Sequence, residues 1–183
     1  VGPLVAVKRE RRFAVRSNSP AKTRQLGSAL GRVLRPGDFV GLVGDLGAGK
    51  TEFVRGVARG ARVPKEEVAS PTFAIVYPYG GRIPIHHADL YRLADEDELY
   101  ATGLADLIGG ESAMLVEWID RLWSAAPADR LEIRFTAPAS DARHLEIIAT
   151  GSSSGALLNA WRRALQPANP SATSAASARR PRR

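Results

Sequence analysis

A chain of 183 residues with 44% hydrophobic and 25% charged residues is long enough for one substantial core, and no apolar run approaches the roughly 18 residues of a membrane span. It contains no cysteine, which excludes a disulfide framework and any thiolate metal site. The net charge of +7 raises the question of a nucleic-acid partner, but Lys8, Arg9, Arg11 and Arg12 against Glu10 at the start, and Arg179, Arg180, Arg182 and Arg183 at the end, account for the whole excess.

Residues 1–12 read as a basic N-terminal extension, with no signal peptide visible at Val1, and Phe13-Ala14-Val15 as a short first strand. Ser19-Pro20 forms an N-cap and first-turn pair, after which Leu26, Ala29, Leu30 and Val33 line one helical face until Pro36-Gly37. Val40, Leu42 and Val43 then form an apolar run between turn signals, the pattern of a buried strand. Phe53, Val54, Val57 and Ala58 return to helical spacing before Gly60. Residues 72–79 are rich in β-branched and aromatic types and lead through Gly80-Gly81 into Arg82 to Ala88, which predicts a hairpin. Four acids from Asp95 to Glu98 open a helix, where the dipole favours them. Ala113 to Val116, Leu131 to Thr136 and His144 to Thr150 are three more strands, the last two joined through a turn at Pro138 to Asp141. Ala156 to Leu165 places Leu157, Leu158, Trp161 and Leu165 on one side of a final helix, and residues 166–183 collapse into a disordered Ala/Ser/Pro/Arg tail. The expected architecture is α/β, a three-layer sandwich of the P-loop NTPase type with a mixed central sheet, occupying residues 13–165.

Between the buried strand and the second helix lies Gly44-Asp45-Leu46-Gly47-Ala48-Gly49-Lys50-Thr51, a full match to G-x-x-x-x-G-K-[ST] in the strand–loop–helix setting that pattern needs. Glycines let successive N–H groups turn inward around a phosphate at a helix start whose dipole already favours negative charge. Lys50 can then reach the outer phosphates, and the Thr51 hydroxyl can take a position on magnesium.

Hydrolysis or transfer also needs acids, and two stand at strand ends. Glu117 closes Met114-Leu115-Val116, as a magnesium-directed carboxylate beside a P-loop strand does. Asp89 ends the Ile83 to Ala88 segment, either as a second site acid or as a helix N-cap. Thr72 follows a connection of about switch-segment length; it reads either as a sensor of the terminal phosphate or as part of a Ser-Pro-Thr turn. Trp118 can stack on a base or fill the core. His86 and His87, adjacent on a strand, face opposite sides and cannot share a metal. The absence of an N-K-x-D segment after the P-loop disfavours guanine and makes an adenine nucleotide the default.

Taken in order, the P-loop, Ser70-Pro71-Thr72-Phe73, His87-Ala88-Asp89-Leu90-Tyr91-Arg92-Leu93 and Leu115-Val116-Glu117-Trp118 resemble the bacterial TsaE (YjeE) family, and Thr23 with Leu26-Gly27 resembles its early T-x-x-L-G element. The similarity covers about residues 13–165. It implies a small, slow, magnesium-dependent cytoplasmic ATPase, monomeric alone and without membrane contact. Its implied task is to assist formation of threonylcarbamoyladenosine beside the tRNA anticodon, with partners TsaD and TsaB and with tRNA met only through the complex. Carried onto this chain, the resemblance makes Gly44, Asp45, Leu46, Gly47, Ala48, Gly49, Lys50 and Thr51 the ATP cradle, and Thr51 and Glu117 the magnesium residues. It implies catalytic roles for Lys50, Asp89 and Thr72, with Thr23, Trp118 and Arg143 close to the nucleotide. Pro84 departs from the family pattern and predicts a frayed or edge strand. A small-molecule kinase and a nucleotide-binding module that never hydrolyses are the alternatives from other classes; the short Arg62 to Ala69 connection leaves little room for a kinase lid.

Overall fold

A computed structural model describes residues 11–65, 75–93, 95–139 and 142–166. Seven strands form one mixed sheet: β1 (Arg11–Ser17), β2 (Phe39–Val43), β3 (Val76–Tyr79), β4 (Ile85–Asp89), β5 (Ala113–Glu117), β6 (Leu131–Thr136) and β7 (Arg143–Ala149). Their spatial order is β1-β7-β6-β2-β5-β4-β3. The four central strands β6, β2, β5 and β4 are parallel, and antiparallel pairs close both flanks. Side-chain alternation splits the core in two, as a sheet covered on both faces requires. Ala113 and Leu115 of β5 join Val40 and Leu42 under α1 (Pro20–Gly31), α2 (Lys50–Gly60) and α5 (Ser152–Leu165). Met114 and Val116 point the other way, into a smaller core with Phe39, Leu99 and Leu104, covered by α3 (Glu96–Ala101), α4 (Leu104–Leu107) and a 3₁₀ helix over Ile119–Ala125.

The helix signals act as the sequence suggests. Ser19 Oγ accepts from Lys22 N at 3.1 Å with Pro20 at the first helical position, and Asp95 Oδ1 accepts from Glu98 N at 3.0 Å at the start of α3. The structure departs from expectation at several points. Arg11 and Arg12, placed by sequence in the extension, belong to β1, because they pair with Ala149 and Ile148 of β7. α5 begins at Ser152 rather than Ala156, because the Asp129 carboxylate accepts from Ser153 N and Ser154 N at 2.9 and 3.0 Å and caps the helix from another loop. Pro84 precedes β4, which is an interior strand; its carbonyl accepts from Ala113 N at 3.0 Å, and the edge falls to β3, which carries Pro78. The Ser70 to Phe73 motif with Thr72, and the segments 1–10 and 167–183, lie outside the described residues.

α1 and α2 touch backbone to backbone. A Cβ on Gly27 would sit 2.2 Å from Phe53 O, one on Gly31 2.0 Å from Val57 O, one on Gly56 2.2 Å from Arg24 O and one on Gly60 2.1 Å from Ser28 O. At the outer edge of this seam, Glu52 of α2 takes bonds from Arg24 of α1 and from Arg55. Burial alone would raise the Glu52 pKa, but the two guanidinium groups outweigh it and hold the carboxyl below its ordinary range. Since the folded-state value is depressed, the stabilisation is present above the ordinary carboxylate range and disappears as pH falls through the folded value. Glu52→Gln is expected to cost about 1 kcal/mol or less at neutral pH, because the pair is partly exposed. Thermal midpoints of the two proteins, compared at neutral pH and in strong acid, should converge in acid.

Candidate functional site

The C-terminal ends of β2, β4 and β5 meet the N-terminus of α2, and the side chains singled out by sequence converge there. Gly49 is the N-cap of α2 with φ 101°, a left-handed conformation that glycine adopts without a Cβ clash, and Phe53 N donates to its carbonyl at 3.0 Å. The loop is closed on itself by Ala48 N donating to Asp45 O at 3.1 Å. Lys50, only 4% exposed, turns its ammonium inward onto the Gly44 carbonyl and the Asp45 carbonyl, the latter at 3.0 Å. The same nitrogen lies 3.6 Å from the centre of the Trp118 ring. Burial lowers the Lys50 pKa, opposed by the charges of Glu117, Asp89, Asp120 and Asp45.

Thr51 Oγ1 donates to Glu117 Oε2 at 3.2 Å, so the hydroxyl and the carboxylate expected to share a cation are already neighbours. Strand register explains this, since Glu117 pairs with Leu42 of the P-loop strand on one side and with Asp89 on the other. Asp89 therefore stands beside Glu117 at the mouth of the site. Its Oδ1 accepts from Tyr91 N at 2.9 Å, which makes it the head of an Asx turn and not a helix N-cap. Burial raises the Asp89 pKa, with Tyr91 N–H lowering it and the neighbouring Glu117 adding to the rise. Glu117, Asp89, Lys50, Thr51, Trp118 and Tyr91 line a cleft of about 390 Å³.

Trp118 occupies the left-handed region at φ 61°, rare for a bulky residue and costing about 1–3 kcal/mol, while its N–H is held by Leu42 O at 2.9 Å. That backbone turn is what brings the ring over Lys50 and against Tyr91, 5.0 Å away. The stacking reading thus has a surface in the cleft, although the ring also packs against the smaller core. Arg143, at the start of β7, reaches the P-loop tip through a 3.3 Å bond to Gly47 O. Thr23 backs the loop: its Cγ2 is 3.9 Å from where a Cβ on Gly49 would lie, and its buried hydroxyl is bonded to Ser17 Oγ at 2.8 Å. His86 and His87 face opposite sides as expected, with His86 on Ser112 at 2.8 Å and His87 on Glu117 at 3.0 Å. Sequence reasoning missed the His87 contact together with Tyr91 and Arg55, which also borders the cleft. The Tyr91 signal was its place in the H-A-D-L-Y-R-L motif; Arg55 sits one helical turn beyond Thr51 on α2, a spacing that puts both on one face.

A larger groove of about 820 Å³ runs along the α1–α2 face, lined by Arg24, Arg32, Arg59, Arg62 and Arg82. Among the described residues that line it there is no glycine-rich turn and no acid, and it lies away from the strand ends where α/β sheets hold ligands.

Fold and cleft together define an α/β protein of the P-loop type. A sequence model described as "Threonylcarbamoyl adenosine biosynthesis protein TsaE" matches residues 17–145. The tRNA threonylcarbamoyladenosine biosynthesis protein TsaE of Bacillus subtilis is 36% identical over 138 residues, covering 75% of this chain and 85% of that protein. The Treponema pallidum protein of the same name is 35% identical over 131 residues, covering 72% and 96%. The crystal structure of Bacillus YdiB superposes with a TM-score of 0.69 at 29% identity, covering 84% of this chain and 96% of that one. The chain belongs to the TsaE family.

Proposed function

We propose that this protein acts in tRNA threonylcarbamoyladenosine biosynthesis as its ATP-binding and ATP-hydrolysing subunit, working with TsaD and TsaB in the cytoplasm. The relatives' names support the pathway. The observation that carries the chemistry is the contact between Thr51 and Glu117 at the open end of the P-loop, 3.2 Å apart and beside Asp89.

In this reading the 44–51 loop cradles the triphosphate with backbone N–H groups, and Lys50 exchanges its carbonyl partners for phosphate oxygens. The donor set fits magnesium. Among the described residues no three histidines or acids gather into a cage, and magnesium is ordinarily held by one or two carboxylates, substrate phosphates and water. Thr51 and Glu117 would hold it, and bound there it would neutralise charge on the outer phosphates. Asp89 orients the attacking water near the terminal phosphate, Thr72 senses that phosphate, Trp118 stacks on the nucleotide, and Thr23 and Arg143 hold the loop that cradles it. No helix among the described residues is long and apolar enough to cross a membrane.

P-loop enzymes without an arginine on the transferring phosphoryl group hydrolyse slowly, and a group supplied in trans adds about 10³–10⁵ in rate. ATP turnover is therefore expected to be slow for the isolated chain and to rise on addition of TsaD and TsaB, with phosphate release as the measurement. An isolated rate that TsaD and TsaB leave unchanged, together with phosphorylation of an added small acceptor, would favour the kinase alternative.

A further inference from the structure

Behind Glu117, away from the P-loop, three side chains from three strands form a line sealed from solvent. Tyr79 ends β3, His87 lies within β4 and Glu117 ends β5; their exposures are 2%, 1% and 2%. Tyr79 Oη is 3.0 Å from His87 Nδ1, and His87 Nε2 is 3.0 Å from Glu117 Oε1. The other carboxylate oxygen, Oε2, takes the Thr51 hydroxyl. The polarity of this line is fixed by what each group can do. A carboxylate only accepts, so the ring proton facing it is on Nε2; in the neutral imidazole Nδ1 is then an acceptor and the Tyr79 hydroxyl its donor. Burial, reinforced by the Glu117 charge, pushes the Tyr79 pKa up to about 12, which keeps that hydroxyl a donor. Every polar atom in the line is satisfied, and the line ends on the residue that faces the cleft.

We propose that His87 is a positioning residue for Glu117: its Nε2–H secures Oε1 so that Oε2 is presented to Thr51 and the cation, while Tyr79 fixes the imidazole tautomer. This rests on the magnesium–ATP reading above and takes it one residue deeper, to the group that orients the metal-side acid. A buried carboxylate that lost this donor would be left with an unsatisfied oxygen and freedom to turn towards another partner.

The test uses the full chain and the non-hydrolysable analogue AMP-PNP, with affinity measured by calorimetry across a magnesium series. His87→Leu is expected to raise the half-saturating magnesium concentration about 10- to 100-fold, the usual effect of losing an outer partner of a metal residue. Affinity in EDTA should stay within about twofold, since the phosphate cradle is untouched. His87→Gln, whose amide N–H can still donate to Oε1, should recover most of the loss. Tyr79→Phe, which keeps the imidazole and removes only its donor, should fall between wild type and His87→Leu and carries the test if His87→Leu does not fold. Wild-type magnesium dependence in His87→Leu, or in Tyr79→Phe where His87→Leu does not fold, would overturn the role of His87, as would a loss that His87→Gln does not repair. If wild type itself binds AMP-PNP without regard to magnesium, the functional reading falls, and the positioning role falls with it.

Discussion

Asp89→Asn is expected to lower ATP turnover about 10²- to 10⁴-fold, the range lost when a positioned acid or base is removed. ATP affinity should stay within about threefold, so the effect is on kcat and not on binding. The substitution is chosen to preserve shape. Asparagine retains the oxygen that accepts from Tyr91 N at 2.9 Å, so the turn after β4 stays intact and only the charge is lost. That charge sits in a cleft it already shares with Glu117, where burial resists ionisation of Asp89. Removing it relieves repulsion against incoming phosphates, which pushes affinity upward if it moves at all. Phosphate release under saturating ATP, set beside a calorimetric titration, separates the two quantities. Equal losses in affinity and rate would assign Asp89 to binding and not to the chemical step.

Gly31→Ala is expected to remove about 3 kcal/mol of stability or more, at or beyond the top of the usual overpacking range. The added methyl would stand 2.0 Å from Val57 O and 2.9 Å from Ala61 N, both backbone atoms that cannot swing aside as a side chain would. The helices must separate, and α2 carries Lys50 and Thr51 on its first turn. Nucleotide affinity should therefore fall with stability, since small misplacements of phosphate and metal groups are costly. Urea unfolding should show a lower midpoint with an unchanged slope. A variant as stable as wild type would mean that the α1–α2 seam can widen freely.

Much of this was legible in the sequence because it is local. The P-loop announces its own strand, loop and helix. Ser19-Pro20 announces a cap, and Ala113 to Glu117 a buried strand closed by an acid; all three stand in the structure as read. What could not be read depends on partners distant in sequence. β1 extends back to Arg11 because β7 offers it hydrogen bonds, and α5 extends back to Ser152 because Asp129 reaches across to cap it. Gly27 and Gly31 look like poor helix residues until the backbone of α2 is laid against them. In the cleft, the residue types were legible but their angles were not. Nothing local in Trp118 signals a left-handed backbone, and nothing in His86-His87 tells which ring faces Glu117, because strand register decides that.

In the proposed function, the 44–51 loop binds the phosphates of ATP with Lys50 among the groups that hold them. Calorimetric titration of ATP with magnesium into wild type and into Lys50→Ala addresses it most directly. One ATP per wild-type chain is expected, with an affinity weaker by about 100-fold in the variant, consistent with losing a buried charged contact worth about 3 kcal/mol. No binding by the wild type, or equal binding by the two proteins, would contradict it.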